Sequence, residues 1–189
     1  MPNARRRSIT NEEPSSGRVQ QASGHRPSQT VNSLTEAFEL LAAAKNKGTR
    51  YPRFNKATLY SWFIFLIRAR VRGRGPFAED FSNFLDYFVD TMGGGLGELP
   101  VVEGVDSRLI DSLSAMYEDR STSRVADVSS VVVRDCVIWF SYGLFRASRG
   151  DDPRKETPST ILNVLSSLKE ADGDGLARAL IEADWGRLS

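Results

Sequence analysis

The sequence has one cysteine, Cys136, and one histidine, His25. A single thiol excludes an internal disulfide framework and any zinc site built on several cysteines, and it suits a reducing compartment. A single histidine in a polar stretch, with nothing to orient it, leaves no histidine-based triad, dyad or metal set. Met1–Thr10, MPNARRRSIT, leads into no apolar segment, so no secretory signal is expected. Unbroken apolar runs fall well short of the roughly 20 residues of a spanning helix, so no membrane partner is expected. A cytoplasmic protein, or a virion component if it is a viral coat protein, is the resulting expectation.

Acid is also missing where it would matter most. Between Glu39 and Glu79 there is no aspartate or glutamate. Met1–Arg74 contains Arg5, Arg6, Arg7, Arg18, Arg26, Lys45, Lys47, Arg50, Arg53, Lys56, Arg68, Arg70, Arg72 and Arg74 against Glu12, Glu13, Glu36 and Glu39. That is 14 − 4 = +10 in the first part of a chain whose formal net charge is +1, so the remainder carries −9. Charge separated on this scale points to a polyanionic partner, to self-association, or to both.

What is present is 189 residues, 40% of them hydrophobic, enough for one domain with a real core. Residues 1–32 are rich in Ser, Gln, Asn, Gly, Pro and Arg, and they predict a disordered basic arm. Residues 33–189 predict one all-α domain, basic over 33–74 and acidic over 75–189. SLTE at Ser33–Glu36 reads as a capping box that opens a first helix ending near Gly48. A second helix follows Asn55 through KATLYSWFIFLIRARV, apolar on nearly every face from Leu59 to Ile67, which implies burial on several sides. Pro76 suits the start of a third, with Phe77, Phe81, Phe84, Leu85, Phe88 and Met92 at helical spacing. Asp106 can cap a fourth, bearing Leu109, Ile110, Leu113, Met116 and Tyr117.

The longest apolar element, from about Arg124 to Ser148, contains three consecutive valines that favour a strand locally. Asp127, Ser130, Arg134, Ser141 and Ser148 nevertheless fall at helical spacing, and a central helix is expected. GDDPRKETPS reads as a loop, with a helix after Thr157–Pro158 and a last one over Leu176–Asp184, pinned by Trp185. The expected fold is a single bundle of about six or seven helices.

Several motifs dissolve on inspection. GGGLG at Gly93–Gly97 follows a helix and lacks the Gly-Lys-Ser/Thr ending of a phosphate loop. EADGDGLARALIEAD echoes a calcium loop, but Ile181 stands where the bidentate glutamate belongs, so Asp172 and Asp174 read as turn and N-cap residues. Arg149-Gly150-Asp151 reads as a helix-ending turn. Cys136 reads as a small apolar core residue. No carboxylate pair shows a diagnostic spacing, and neither an enzyme nor a cofactor or metal is expected.

The remaining lead is IRARVRGRG, Ile67–Gly75. On an intact helix Arg68 and Arg72 share one face while Arg70 and Arg74 point nearly opposite, because positions two apart differ by about 200°. Gly73 and Gly75 suggest unwinding there, which would let all four guanidinium groups converge. Upstream, TRYPRFNK adds Arg50, Arg53, Phe54 and Lys56. Arginines interleaved with aromatics are what single-stranded nucleic acid engages, by backbone neutralisation and base stacking. The candidate nucleic-acid-binding residues are therefore Arg50, Arg53, Phe54, Lys56, Arg68, Arg70, Arg72 and Arg74. The function expected is a non-enzymatic, self-assembling structural protein that binds single-stranded RNA, of coat or nucleocapsid type and homo-oligomeric. The alternative is a helical adaptor or regulatory protein that grips an acidic partner, or its own copies, without nucleic acid. An interfacial membrane helix over LYSWFIFLIRARVR fits less well, lacking a clean polar face.

Overall fold

The computed structural model describes residues 27–46, 52, 54–73, 78–92, 102, 105, 107–122, 127–168 and 172–186. These form an all-α bundle of eight helices: α1 (Pro27–Asn46), α2 (Lys56–Val71), α3 (Ala78–Met92), α4 (Ser107–Thr122), α5 (Val128–Ala147), α6 (Pro153–Glu156), α7 (Ser159–Ser167) and α8 (Gly173–Glu182). Helix α1 begins at Pro27, so Ser33 and Glu36 lie inside it and the helix takes in the last six residues assigned to the arm. Proline at the first helical position costs no backbone hydrogen bond, and no residue between it and Ser33 breaks the helix. The rest of the expected arm, His25 and the Gly93–Gly97 motif fall outside the described residues.

Helix α2 starts where expected. Asn55 accepts from the amides of Ala57 and Thr58 at 3.0 and 2.9 Å, and the Thr58 hydroxyl accepts from the Asn55 amide at 3.0 Å. This reciprocal cap satisfies three backbone donors. The Asn55 side-chain amide also donates 2.8 Å to the carbonyl of Ser121, tying the start of α2 to the end of α4.

The three valines of α5 do not make a strand. Asp127 caps the element, its carboxylate accepting from the Ser129 amide at 3.1 Å, and the helix runs unbroken to Ala147. It packs against α2, α3, α4, α6 and α8, so nearly every side chain along it is buried. Val128–Ala147 is also long and apolar enough to cross a membrane, but 83% of that stretch is buried in the bundle, as befits a core helix. The polar stripe read in the sequence lies inside too: Ser130, Arg134 and Ser141 are buried.

An aromatic core fills the space between α2, α3 and α5. Trp62 meets Phe88 edge-on at 5.0 Å between centroids, and Phe65 meets Trp139 at 4.8 Å. Phe81, Phe84, Leu85 and Phe88 line the inner face of α3, as their spacing implied. Edge-to-face pairs of this kind add about 0.5–1.5 kcal/mol each to the burial of the rings.

Two connections differ from expectation. The segment read as a loop after Gly150 contains α6, opened by the Asp152 carboxylate and Pro153. The chain then returns so close to α5 that a Cβ on Gly143 would lie 1.9 Å from the Thr157 hydroxyl oxygen. Helix α8 begins at Gly173 rather than Leu176, since the Asp172 side chain accepts from the amides of Asp174 and Gly175 and draws both glycines into the first turn.

Candidate nucleic-acid interface

The arginines of IRARVRGRG are held by a helix that does not unwind before Arg72. Arg72 keeps a right-handed conformation (φ −81°, ψ 0°) with its amide bonded to the Arg68 carbonyl at 3.0 Å. The turn comes one residue later, at Gly73 with φ +64°, where a residue bearing a Cβ would be strained. Arg68 and Arg72 therefore share the inward side of α2, and Arg70 points away from them. The convergence of all four guanidinium groups is corrected for these three; Arg74 lies outside the described residues.

Arg68 is committed to the core. Its Nη1 pairs with Oδ2 of Asp135, a carboxylate buried in the middle of α5. The same oxygen accepts from the indole Nε1–H of Trp185 at 3.0 Å. Arg68 lies over the Trp185 ring at 5.0 Å, and Arg72 lies over Trp185 at 5.2 Å and Trp139 at 5.8 Å. Two helices and the turn after α8 are thus joined by one carboxylate, two guanidinium groups and two indoles. Burial pushes the Asp135 carboxyl up to about 6, although Arg68, the Trp185 hydrogen bond and Arg72 all pull the other way. Its second oxygen, Oδ1, is buried without a hydrogen-bond partner, which is part of that desolvation cost.

Arg70 turns to α1 instead. Its Nε and Nη2 fork onto the two carboxylate oxygens of Glu36 at 2.9 and 3.1 Å. Phe54 is half-buried and meets Trp62 edge-on at 6.4 Å, so it packs on the core rather than standing out for a base. Lys56 is exposed in the first turn of α2, whereas Arg50 and Arg53 lie outside the described residues. The structure brings Arg68 and Arg72 together around Trp185, and it separates Arg70, Phe54 and Lys56 from them.

A second buried guanidinium lies beside the first along α5. Arg134 donates Nε–H to the Ser61 hydroxyl at 2.9 Å and Nη1–H to the carbonyl of Arg120 near the end of α4. Burial draws Arg134 below the ordinary arginine value, partly offset by Tyr117, whose own hydroxyl is pushed up to about 12 by burial. Arg120 in turn pairs with Asp174 at the start of α8. Arg146 and Arg149 both reach Asp80 of α3, and Arg146 also holds Asp151 at 2.8 Å, so the Arg149–Asp151 tripeptide is a helix-ending turn.

Asp135, Trp139 and Trp185 were not singled out together by sequence. The signal in the chain was the charged pair Arg134–Asp135 inside an apolar run, since ions placed there must find partners. Cys136, next in line, is fully buried, and its thiol is raised far above the usual value, which leaves it inert. Among the described residues no group of three or more His, Cys, Asp or Glu could hold a metal ion. The chain matches no protein-family model, no curated protein and no solved structure.

Proposed function

We propose that the chain is a non-enzymatic, self-assembling structural protein that binds single-stranded nucleic acid, with RNA as the favoured ligand. The observation that carries this reading is the charge surplus left after the bundle's own ion pairs are counted. The surplus over Met1–Arg74 is +10; Arg68 gives one charge to Asp135 in the acidic part, and Arg70 with Glu36 is neutral within the segment, so 10 − 1 = +9 is left. Most of it resides in the arm, at Lys45 and Lys56, and at Lys47, Arg50, Arg53 and Arg74. Phosphates would neutralise those positions and release counterions, so affinity should fall steeply with added salt.

Filter binding of the full chain to a single-stranded RNA, across a salt series, tests this. Replacing Arg5, Arg6 and Arg7 by alanine should weaken binding and flatten the slope by about 0.7 for each phosphate that is no longer neutralised. No affinity at low salt would end the reading.

The adaptor reading is favoured by a specific observation: Arg68, Arg70 and Arg72 are engaged within the subunit. Copurifying material separates the two. A raised absorbance ratio at 260 over 280 nm that nuclease abolishes supports nucleic acid; a clean ratio with concentration-dependent oligomers supports the adaptor.

A further inference from the structure

The side of α2 that faces away from the core is as apolar as the side that builds it. Tyr60, Ile64, Ile67 and Val71 follow at spacings of four, three and four, a single stripe along the helix. Tyr60 and Val71 are 57% and 71% exposed. Helix α1 extends this surface: Phe38, 61% exposed, stacks on Phe63 at 4.5 Å between centroids, and Leu34 lies one turn before it. A monomer rarely leaves a contiguous apolar patch larger than a few hundred Å² in water. The stripe and its extension approach the roughly 800 Å² that each partner buries in a specific interface.

We infer that this face is a two-fold interface in which a second copy of the chain lays its own α1–α2 surface against the first. Size argues for a like face as the occupant. Among the described residues, the other exposed large hydrophobic side chains are Val31, on α1 itself, and Val128 and Ile181, too few to cover the stripe. Residues 1–26 hold only Met1, Ile9 and Val19 as larger aliphatic side chains, so the arm cannot supply a matching surface. Charge argues the same way. From Tyr60 to Ile67 the sequence has no charged residue, and the exposed guanidinium at the edge, Arg70, is neutralised by Glu36 of its own subunit. Two identical faces can therefore meet without like charges opposed at the centre. The pairing is isologous and closes as a dimer of four packed helices, leaving both basic arms to carry ligand. This rests on the self-assembly part of the proposed function and not on nucleic-acid binding.

Analytical ultracentrifugation of the nuclease-treated full chain, over about a hundred-fold dilution, tests it. A monomer–dimer equilibrium is expected. Phe38→Asp and Tyr60→Arg, both at solvent-facing positions, should each weaken the dimer by about 100-fold with the helical circular dichroism unchanged. Ile181→Asp should leave it intact. A chain that is monomeric throughout, a dimer that survives both substitutions, or one broken by Ile181→Asp instead would overturn the inference. So would a monomer that binds phosphatidylserine vesicles and loses that binding in Phe38→Asp. RNA affinity, measured separately by filter binding, should persist in Phe38→Asp monomers. Its absence in every variant would remove the nucleic-acid reading and leave the dimer standing.

Discussion

Within one sixteen-residue helix, Trp62 and Phe65 are fully buried while Tyr60 and Val71 stand mostly in water. The two sides of α2 have similar apolar content, and periodicity cannot tell them apart. What separates them is the polar anchoring on one side only. The inward side carries Thr58, Ser61 and Arg68, each with a fixed partner: the Asn55 cap, the Arg134 guanidinium and the Asp135 carboxylate. Such groups tolerate burial in one orientation, because any other would leave ions or hydroxyls without partners. Directional polar contacts thus choose the face, and apolar burial supplies most of the stabilisation once it is chosen.

The largest expected effect comes from breaking that choice. Asp135→Ala would leave the Arg68 guanidinium buried without its anion and Trp185 without its acceptor, and should cost about 3–5 kcal/mol in urea unfolding. Replacing both ions with apolar groups of similar volume, Arg68→Met with Asp135→Leu, should recover most of the loss. If the double variant is no more stable than Asp135→Ala, the pair is more than an ion and its counterion, and the anchoring account of α2 fails.

The same centre explains how far sequence could go. Helix content and the inward stripe of α3 were legible because 3.6-residue periodicity is local. The cap at Asn55 and the central position of α5 were legible for the same reason. The destination of each arginine was not. Arg68, Arg70 and Arg72 are alike in sequence, yet one enters the core, one reaches α1 and one stacks on indoles, according to where Asp135, Glu36, Trp139 and Trp185 lie in space. Those partners are 67, 34, 67 and 113 positions away along the chain, beyond any local pattern. A charge count therefore identified the basic part of the molecule correctly, but it could not say which charges face outward.

A smaller effect should appear in the pH dependence. Asp135 is raised in the folded protein from an ordinary 3.8 to about 6, so the fold favours its protonated form. Its contribution is therefore most favourable below about pH 4, declines as pH rises toward 6, and is constant above that. The slope is bounded by about 1.4 kcal/mol per pH unit for a single proton. The Arg68→Met, Asp135→Leu variant lacks this group, so wild type should lose stability relative to it between pH 4 and 6. Parallel curves over that interval would show that the ion pair holds Asp135 charged throughout.

The smallest effect sharpens the comparison most. Phe65→Ala, on the inward side, should cost about 3–5 kcal/mol by opening a cavity among Trp62, Phe84 and Trp139. Tyr60→Ser, five residues earlier and outward, should change the stability of dilute monomer by no more than about 0.5 kcal/mol. Raising the protein concentration separates a face that is merely solvated from one that is normally covered. Where a second copy binds the folded state alone, the wild-type melting temperature climbs with concentration by mass action, and Tyr60→Ser does not follow it. Phe65→Ala lowers the curve at every concentration but leaves its slope unchanged, because the core residue holds the subunit together without touching its neighbour. If the two variants instead differ only in magnitude and share one concentration dependence, the outward stripe is ordinary surface and the distinction between the sides of α2 ends at the core.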